Sequence, residues 1–183
     1  MRCFLGVELT EEVKEKISPV LKDMEGIDGD IKTVDQENLH ITVKFLGDIE
    51  ESDIQRINPI EKITTDLDPF EVKMGGMRTF PSQDYIKVVW IDLKKGNEKF
   101  VELISRIENK LHEHGFSKDK NEPMPHATVA RVKSGRNKEK IKSIIEKWKN
   151  STFGDMVVDK VTLFQSELTP EGPVYERIKN YRL

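Results

Sequence analysis

The pattern His-x-Thr-Val occurs twice in this chain, as His40-Ile41-Thr42-Val43 within NLHITVKFLG and as His126-Ala127-Thr128-Val129 within MPHATVARV. The two copies lie 86 residues apart in a chain of 183, close to half its length. Both stand in apolar, strand-like runs. That spacing points to two related halves, each supplying one copy, although the remaining sequence shows no clear repeat. Residues i and i+2 of a strand project from one face, about 6.5 to 7 Å apart along it. Each histidine therefore acts with its threonine, while Ile41, Val43, Ala127 and Val129 point to a buried face. Two such strands facing across a groove would gather two imidazoles and two hydroxyls around one small space.

The rest of the chain reads as a mixture of strands and helices without strict βαβ alternation. Extended segments are expected near 2–9, 31–34, 39–46, 70–80, 85–93, 126–132, 156–166 and 173–181, several rich in Val, Ile, Phe and Tyr. Apolar residues recur at helical spacing at Val13, Ile17, Val20, Leu21 and Met24, with Thr10 as a cap and Gly26 as a stop. Pro19 inside that stretch predicts a kink or a boundary. Further stripes run through Ile54, Ile57, Ile60 and Ile63, interrupted at Pro59; through Phe100, Leu103, Ile104, Ile107 and Leu111, closed by Gly115; and through Ile141, Ile144, Ile145 and Trp148. Gly75 and Gly76 mark a bulge or bend, FPSQD at 80–84 a hairpin-type connection, and GFSKDKNEPMP at 115–125 a long polar loop. This pattern predicts an α+β protein with mostly antiparallel sheet and helices packed on one side.

Composition narrows the function classes. The 30 basic and 33 acidic side chains leave a net charge of −3, so no global field recruits a polyanion, and any nucleic acid must be held at a local site. The single Cys3 makes no internal disulfide and no Cys/His set has metal-site spacing, which fits a reducing compartment and a core held by packing. MRCFLGVELTEE reads as neither a signal nor a transit peptide, and no apolar run approaches the ~18 residues of a spanning helix. A cytoplasmic, unanchored protein is expected, folded as one domain over 1–183 and acting as a monomer.

Two imidazoles with ordinary pKa near 6.5 hold opposite protonation states around neutrality, one accepting a proton while the other donates. That set suits phosphodiester transfer, where an attacking water must lose a proton and a departing alkoxide must gain one. Threonine hydroxyls donate to the nonbridging oxygens during an in-line displacement. The expected reaction needs no metal and no cofactor, and its pH profile is bell-shaped.

At these residues the chain resembles the two-histidine phosphoesterase superfamily, in its branch of RNA 2′,3′-cyclic phosphodiesterases, also called 2′-5′ RNA ligases. Beyond HITVKFLG and HATVARV, the resemblance includes MRCFLGVELTEEV, FPSQDYIKVVWIDL and VTLFQSELTPEGPVYERI. It implies a two-lobed, pseudo-two-fold α+β fold with mostly antiparallel sheets, helices outside and a central cleft. The implied substrates are RNA 3′ ends bearing a 2′,3′-cyclic phosphate, whether tRNA halves, splicing products or degradation fragments, or small cyclic nucleotides, opened to a 2′-phosphate. His40 would then be the proton donor to the departing 3′ oxygen and His126 the proton acceptor that activates water, with Thr42 and Thr128 on the phosphate. The near-symmetric pair itself gives no sequence-level reason for choosing between the two roles. Joining of 2′-5′ linkages would be the reverse transesterification. A non-catalytic module that binds RNA ends is the alternative.

Arg131 matches a family arginine that contacts substrate phosphate, and a guanidinium suits that anion. Strict alternation from His126 nevertheless turns 131 away from the cleft unless the strand bends. Lys44 does share parity with His40 and Thr42. His112 and His114 meet the negative end of a helix, and their i, i+2 spacing shares no helix face. Phe45, Phe80, Tyr85 and Trp90 are candidates for base stacking or for packing, and RVKSGRNKEKIK at 131–142 for an RNA-backbone track or for ordinary surface charge.

Overall fold

The computed structural model describes residues 1–183. Strand β1 (Arg2–Glu8) leads through Thr10, whose hydroxyl accepts from the Val13 amide, into helix α1 (Glu11–Glu25). Helix α1 runs through Pro19 without a boundary. Pro19 and Glu15 are both exposed, so the carbonyl that loses its amide partner faces water and no buried group goes unpaired. A short strand β2 (Ile31–Thr33) precedes β3 (His40–Asp48). Pro59 divides the next helical stripe into α2 (Ile54–Ile57), a 3-10 turn and α3 (Glu61–Thr65). Strands β4 (Phe70–Pro81) and β5 (Ile86–Lys95) form the expected hairpin, with register shifts around Gly75 and Gly76, and Gly76 taking φ of +79°. Helix α4 (Asn97–Glu113) then passes through the long loop into β6 (Ala127–Val132) and α5 (Lys138–Trp148).

The run expected as one strand over 156–166 is two: β7 (Thr152–Val158) and β8 (Lys160–Leu168), with β9 (Pro173–Arg182) closing the chain. All strands join one nine-stranded sheet of order β7-β4-β5-β6-β3-β1-β8-β9, β2 pairing β6, and every pairing is antiparallel. Strands β7 and β8 are separated by Asp159 alone, yet lie near opposite ends of that order. The sheet must therefore curl until its two wings approach, and the apolar pattern, which continues across Asp159, gave no sign of the exchange.

The order also divides into related lobes. The unit β1-α1-β3 delivers His40 and the unit β5-α4-β6 delivers His126, with β3 and β6 adjacent at the centre. Each unit's helix packs behind the other lobe: α1 lies against β2, β6 and β7, and α4 against β3 and α3. One apolar core consequently runs through both lobes, from Leu5, Val13 and Ile17 to Phe100, Leu103 and Ile107.

Candidate active site at the seam between the lobes

Strands β3 and β6 meet through a single bridge, Ile41 opposite Ala127, and both side chains are fully buried. In an antiparallel pair, counting one residue either way sets His40 across from Thr128 and Thr42 across from His126, all on the other face. Those four side chains line one cavity of about 450 Å³. The two tripeptides named from sequence alone are thus brought together by the pairing of their own central residues.

The rings are held alike. His40 Nδ1–H donates to the carbonyl of Asn38 at 2.7 Å, and His126 Nδ1–H to the carbonyl of Met124 at 2.6 Å, in each case two residues back. A carbonyl only accepts, so Nδ1 carries the proton and Nε2 is left as the exchanging atom on each ring. His40 Nε2 lies 3.1 Å from Thr42 Oγ1. Phe4 packs 4.8 Å from the His40 ring, Tyr175 meets it edge-on at 5.5 Å, and Trp90 lies 5.3 Å from His126. Burial pushes His40 below the usual histidine range. The Asn38 carbonyl opposes that shift, while the charges of His126 and Arg131 add to it. Burial and the neighbouring cations therefore favour a neutral His40.

Both motif strands carry a bulge at the same place. Thr42 pairs with Gly6 and Lys44 with Leu5, leaving Val43 without a partner; Thr128 pairs with Trp90 and Ala130 with Val89, leaving Val129 without one. An extra residue shifts the side-chain phase by one. Val43 and Lys44 are consecutively buried, as are Val129 and Ala130, and the cleft face resumes at Phe45 and Arg131. This overturns the parity expected for Lys44, which is 3% exposed and paired with Glu108 and Asp119, each at 2.8 Å. It also removes the objection to Arg131, which lines the cavity beside Thr128.

The remaining candidates divide by position. Phe45, Phe80 and Trp90 line an adjoining cavity of about 530 Å³ on the Thr42 and His126 side, whose wall also carries Glu108, Asp119 and Glu122, while Tyr85 stands on the surface outside both cavities. His112 Nδ1–H donates to the Phe116 carbonyl at 3.1 Å, just past its own helix end. Within the basic stretch, Arg136 pairs with Asp28 and Lys142 with Asp84. Sequence reasoning missed Asn38 and Met124, which act through backbone carbonyls, and Tyr175, Lys32 and Val88 on the cavity wall. A carbonyl has no residue signature. The other three reach the site from β9, β2 and β5, whose arrangement no local pattern encodes.

A two-lobed antiparallel fold presenting paired His-x-Thr motifs at its seam defines a two-histidine phosphoesterase, and the chain belongs to that superfamily. Within it, residues 4–183 match the family described as the AKAP7 2′5′ RNA ligase-like domain. The chain is 40% identical over 183 residues to the RNA 2′,3′-cyclic phosphodiesterase of Methanocaldococcus jannaschii, covering 99% of this chain and 100% of that protein. It is 36% identical to the protein of the same description from Methanothermobacter thermautotrophicus, covering 100% and 99%. Among solved structures, a Thermus thermophilus protein superposes with a TM-score of 0.84 at 25% identity, covering 100% of this chain and 98% of that one. E. coli LigT in complex with 3′-AMP shares the fold, with a TM-score of 0.79 at 18% identity and coverage of 100% and 97%.

Proposed function

We propose that this protein hydrolyses 2′,3′-cyclic phosphates at RNA 3′ ends to 2′-phosphomonoesters. The observation that carries this reading is the pair of imidazoles at the seam, each with Nδ1 committed to a backbone carbonyl and Nε2 left for exchange, that of His40 beside the Thr42 hydroxyl. Its resemblance to proteins described as RNA 2′,3′-cyclic phosphodiesterases supplies the substrate class.

In this scheme His126 Nε2 takes a proton from water as the water oxygen bonds to phosphorus. The bond from phosphorus to O3′ breaks, and His40 Nε2 gives its proton to O3′, leaving the phosphate on O2′. Thr42 and Thr128 donate to the nonbridging oxygens, and Arg131 offsets the charge that grows on them. The burial that favours neutral His40 makes its imidazolium a ready proton donor once the bound phosphate anion has drawn in a proton. An RNA 5′-hydroxyl in the place of water would run the exchange as 2′-5′ ligation. The chemistry calls for no cofactor, and we take residues 1–183 to act as one two-lobed unit, a monomer working in the cytoplasm, where such RNA ends arise.

The test is product analysis with 2′,3′-cyclic AMP. The wild type should yield 2′-AMP, and His40→Ala and His126→Ala should each lose about 10²- to 10⁴-fold in turnover while melting as folded proteins. Binding without product would show an RNA-end binding module instead, and full activity in either variant would end the mechanism.

A further inference from the structure

Strand β2 has no counterpart in the other lobe. It pairs only with β6, taking up that strand's edge at Ala130–Val132, just past the bulge, where β3 has already separated. Its register sets Lys32 directly across from Arg131, so the two side chains share a face about 5 Å apart at Cβ. Both line the cavity that holds the histidines and threonines. Neither makes an ion pair, and neither do Arg2 and Arg182, but only Lys32 and Arg131 of these face the cavity. Asp35, the single carboxylate on the cavity wall, is not engaged by either cation. A cyclic phosphate carries one negative charge, and Arg131 with one imidazolium already exceeds it. Lys32 is a further cation, one step outward from the reacting phosphorus.

The two cavities around the seam differ in kind. They share Thr42, Phe45, Val88 and His126; one adds Phe80, Trp90 and Met124 together with the carboxylates Glu108, Asp119 and Glu122, and the other adds the cations Lys32 and Arg131 with the single carboxylate Asp35. A terminal ribose held by its cyclic phosphate sends its base and its 5′ carbon in different directions. The aromatic wall suits the base, as aromatic side chains suit unpaired nucleobases generally. The 5′ carbon, with the phosphodiester it carries, is then directed toward β2.

We propose that Lys32 binds the internucleotide phosphodiester immediately 5′ of the terminal nucleotide, so that the cleft distinguishes an RNA end from a free cyclic nucleotide. This rests on the cyclic-phosphate reading above and adds a direction to it: upstream RNA leaves over β2. The other lobe offers no such exit, because the position equivalent to Arg131 is Phe45 and no strand extends β3 beyond the seam.

The probes are the dinucleotide ApA bearing a 2′,3′-cyclic phosphate and 2′,3′-cyclic AMP, which lacks the second phosphate. For wild type, Lys32→Ala and Lys32→Arg, the readout is the ratio of kcat/KM for the dinucleotide to that for the mononucleotide. Lys32→Ala should lower that ratio about 5- to 10-fold, and Lys32→Arg should restore most of it. The salt dependence of log KM for the dinucleotide should become shallower by about 0.7 per decade. A methylphosphonate at the internucleotide linkage should lower the wild-type ratio similarly and add nothing in Lys32→Ala. An unchanged ratio in Lys32→Ala, or an equal loss on both substrates, would overturn the assignment of Lys32 alone. Absence of wild-type turnover on both probes would overturn the cyclic-phosphate reading itself.

Discussion

Lys44→Met removes one buried positive charge and keeps most of the side-chain stem. The Lys44 ammonium lies 2.8 Å from Glu108 Oε1 and 2.8 Å from Asp119 Oδ1, and the Asp119 amide also donates to Glu108 at 2.5 Å. One cation thereby ties β3 to α4 and to the loop that leads into His126. Removing one member of a fully buried pair costs about 3–5 kcal/mol because a charge is left behind without its partner. Here Glu108 is 13% exposed and Asp119 54%, so water relieves part of that penalty and the expected loss is about 2–3 kcal/mol. For a chain of this length that lowers Tm by about 5–10 °C.

The loss should also depend on pH. Burial on its own raises the Glu108 pKa, but the hydrogen bond from Lys44, the Asp119 amide and the charges of Lys44 and Lys118 outweigh it and hold the carboxyl below its ordinary 4.5. A depressed carboxyl contributes stability above its unfolded value and loses it as pH falls through the folded one. Without Lys44, the burial of Glu108 is opposed only by the Asp119 amide and the Lys118 charge, so the deficit is largest where Glu108 is ionised and shrinks as it is protonated. Urea unfolding of wild type and Lys44→Met at pH 7 and pH 4 should show the deficit shrinking on acidification. A deficit under about 1 kcal/mol at pH 7, or one that is the same at both pH values, would refute the reasoning.

His40 is expected to titrate below the ordinary histidine value of 6.5 in the free protein and to move upward when 2′-AMP fills the cleft, as followed by NMR of its ring protons; an apo value above 6.5 would contradict the burial argument. Because its folded pKa is depressed, the contribution of His40 to stability is present above the unfolded pKa and is lost as pH falls through the folded one. Gly6→Ala should cut kcat about 10-fold, since its methyl would stand 3.3 Å from His40 Cδ2 and 3.3 Å from the Ile41 carbonyl, displacing the ring from its working position. Steady-state kinetics with 2′,3′-cyclic AMP decide it, and wild-type kcat in Gly6→Ala would show that the ring tolerates the intrusion.

Much of the fold was legible because its local rules agree with its global arrangement. Thr10, Gly26 and the stripe from Val13 to Met24 mark α1 from sequence, and alternation at His40–Val43 marks β3. Pro19 does not end α1, because the packing of the apolar stripe on both sides of it outweighs the hydrogen bond it removes. The break at Asp159 was not legible: β7 and β8 are both apolar strands, and which distant strand each pairs with is a property of the curled sheet. In the site, the His and Thr pairs were visible because they precede the bulges, where strict alternation still holds. Lys44 was placed on the wrong face, and Arg131 was set against its own resemblance, because both follow them.

The bulges also explain why alternation had to fail there. Without the extra residue at Val43 and at Val129, Lys44 and Ala130 would face the cleft, and Phe45 and Arg131 would turn toward the core. The site would lose its guanidinium and its exposed aromatic wall, and the interior would gain an arginine to pair or exclude. With the extra residue, Lys44 finds Glu108 and Asp119, and Ala130 fills a position with no room for charge. Two lobes bent at the same point thus present different residues at equivalent places, Phe45 in one and Arg131 in the other. On the reading proposed above, that difference would let a pseudo-symmetric seam hold an RNA end in only one direction.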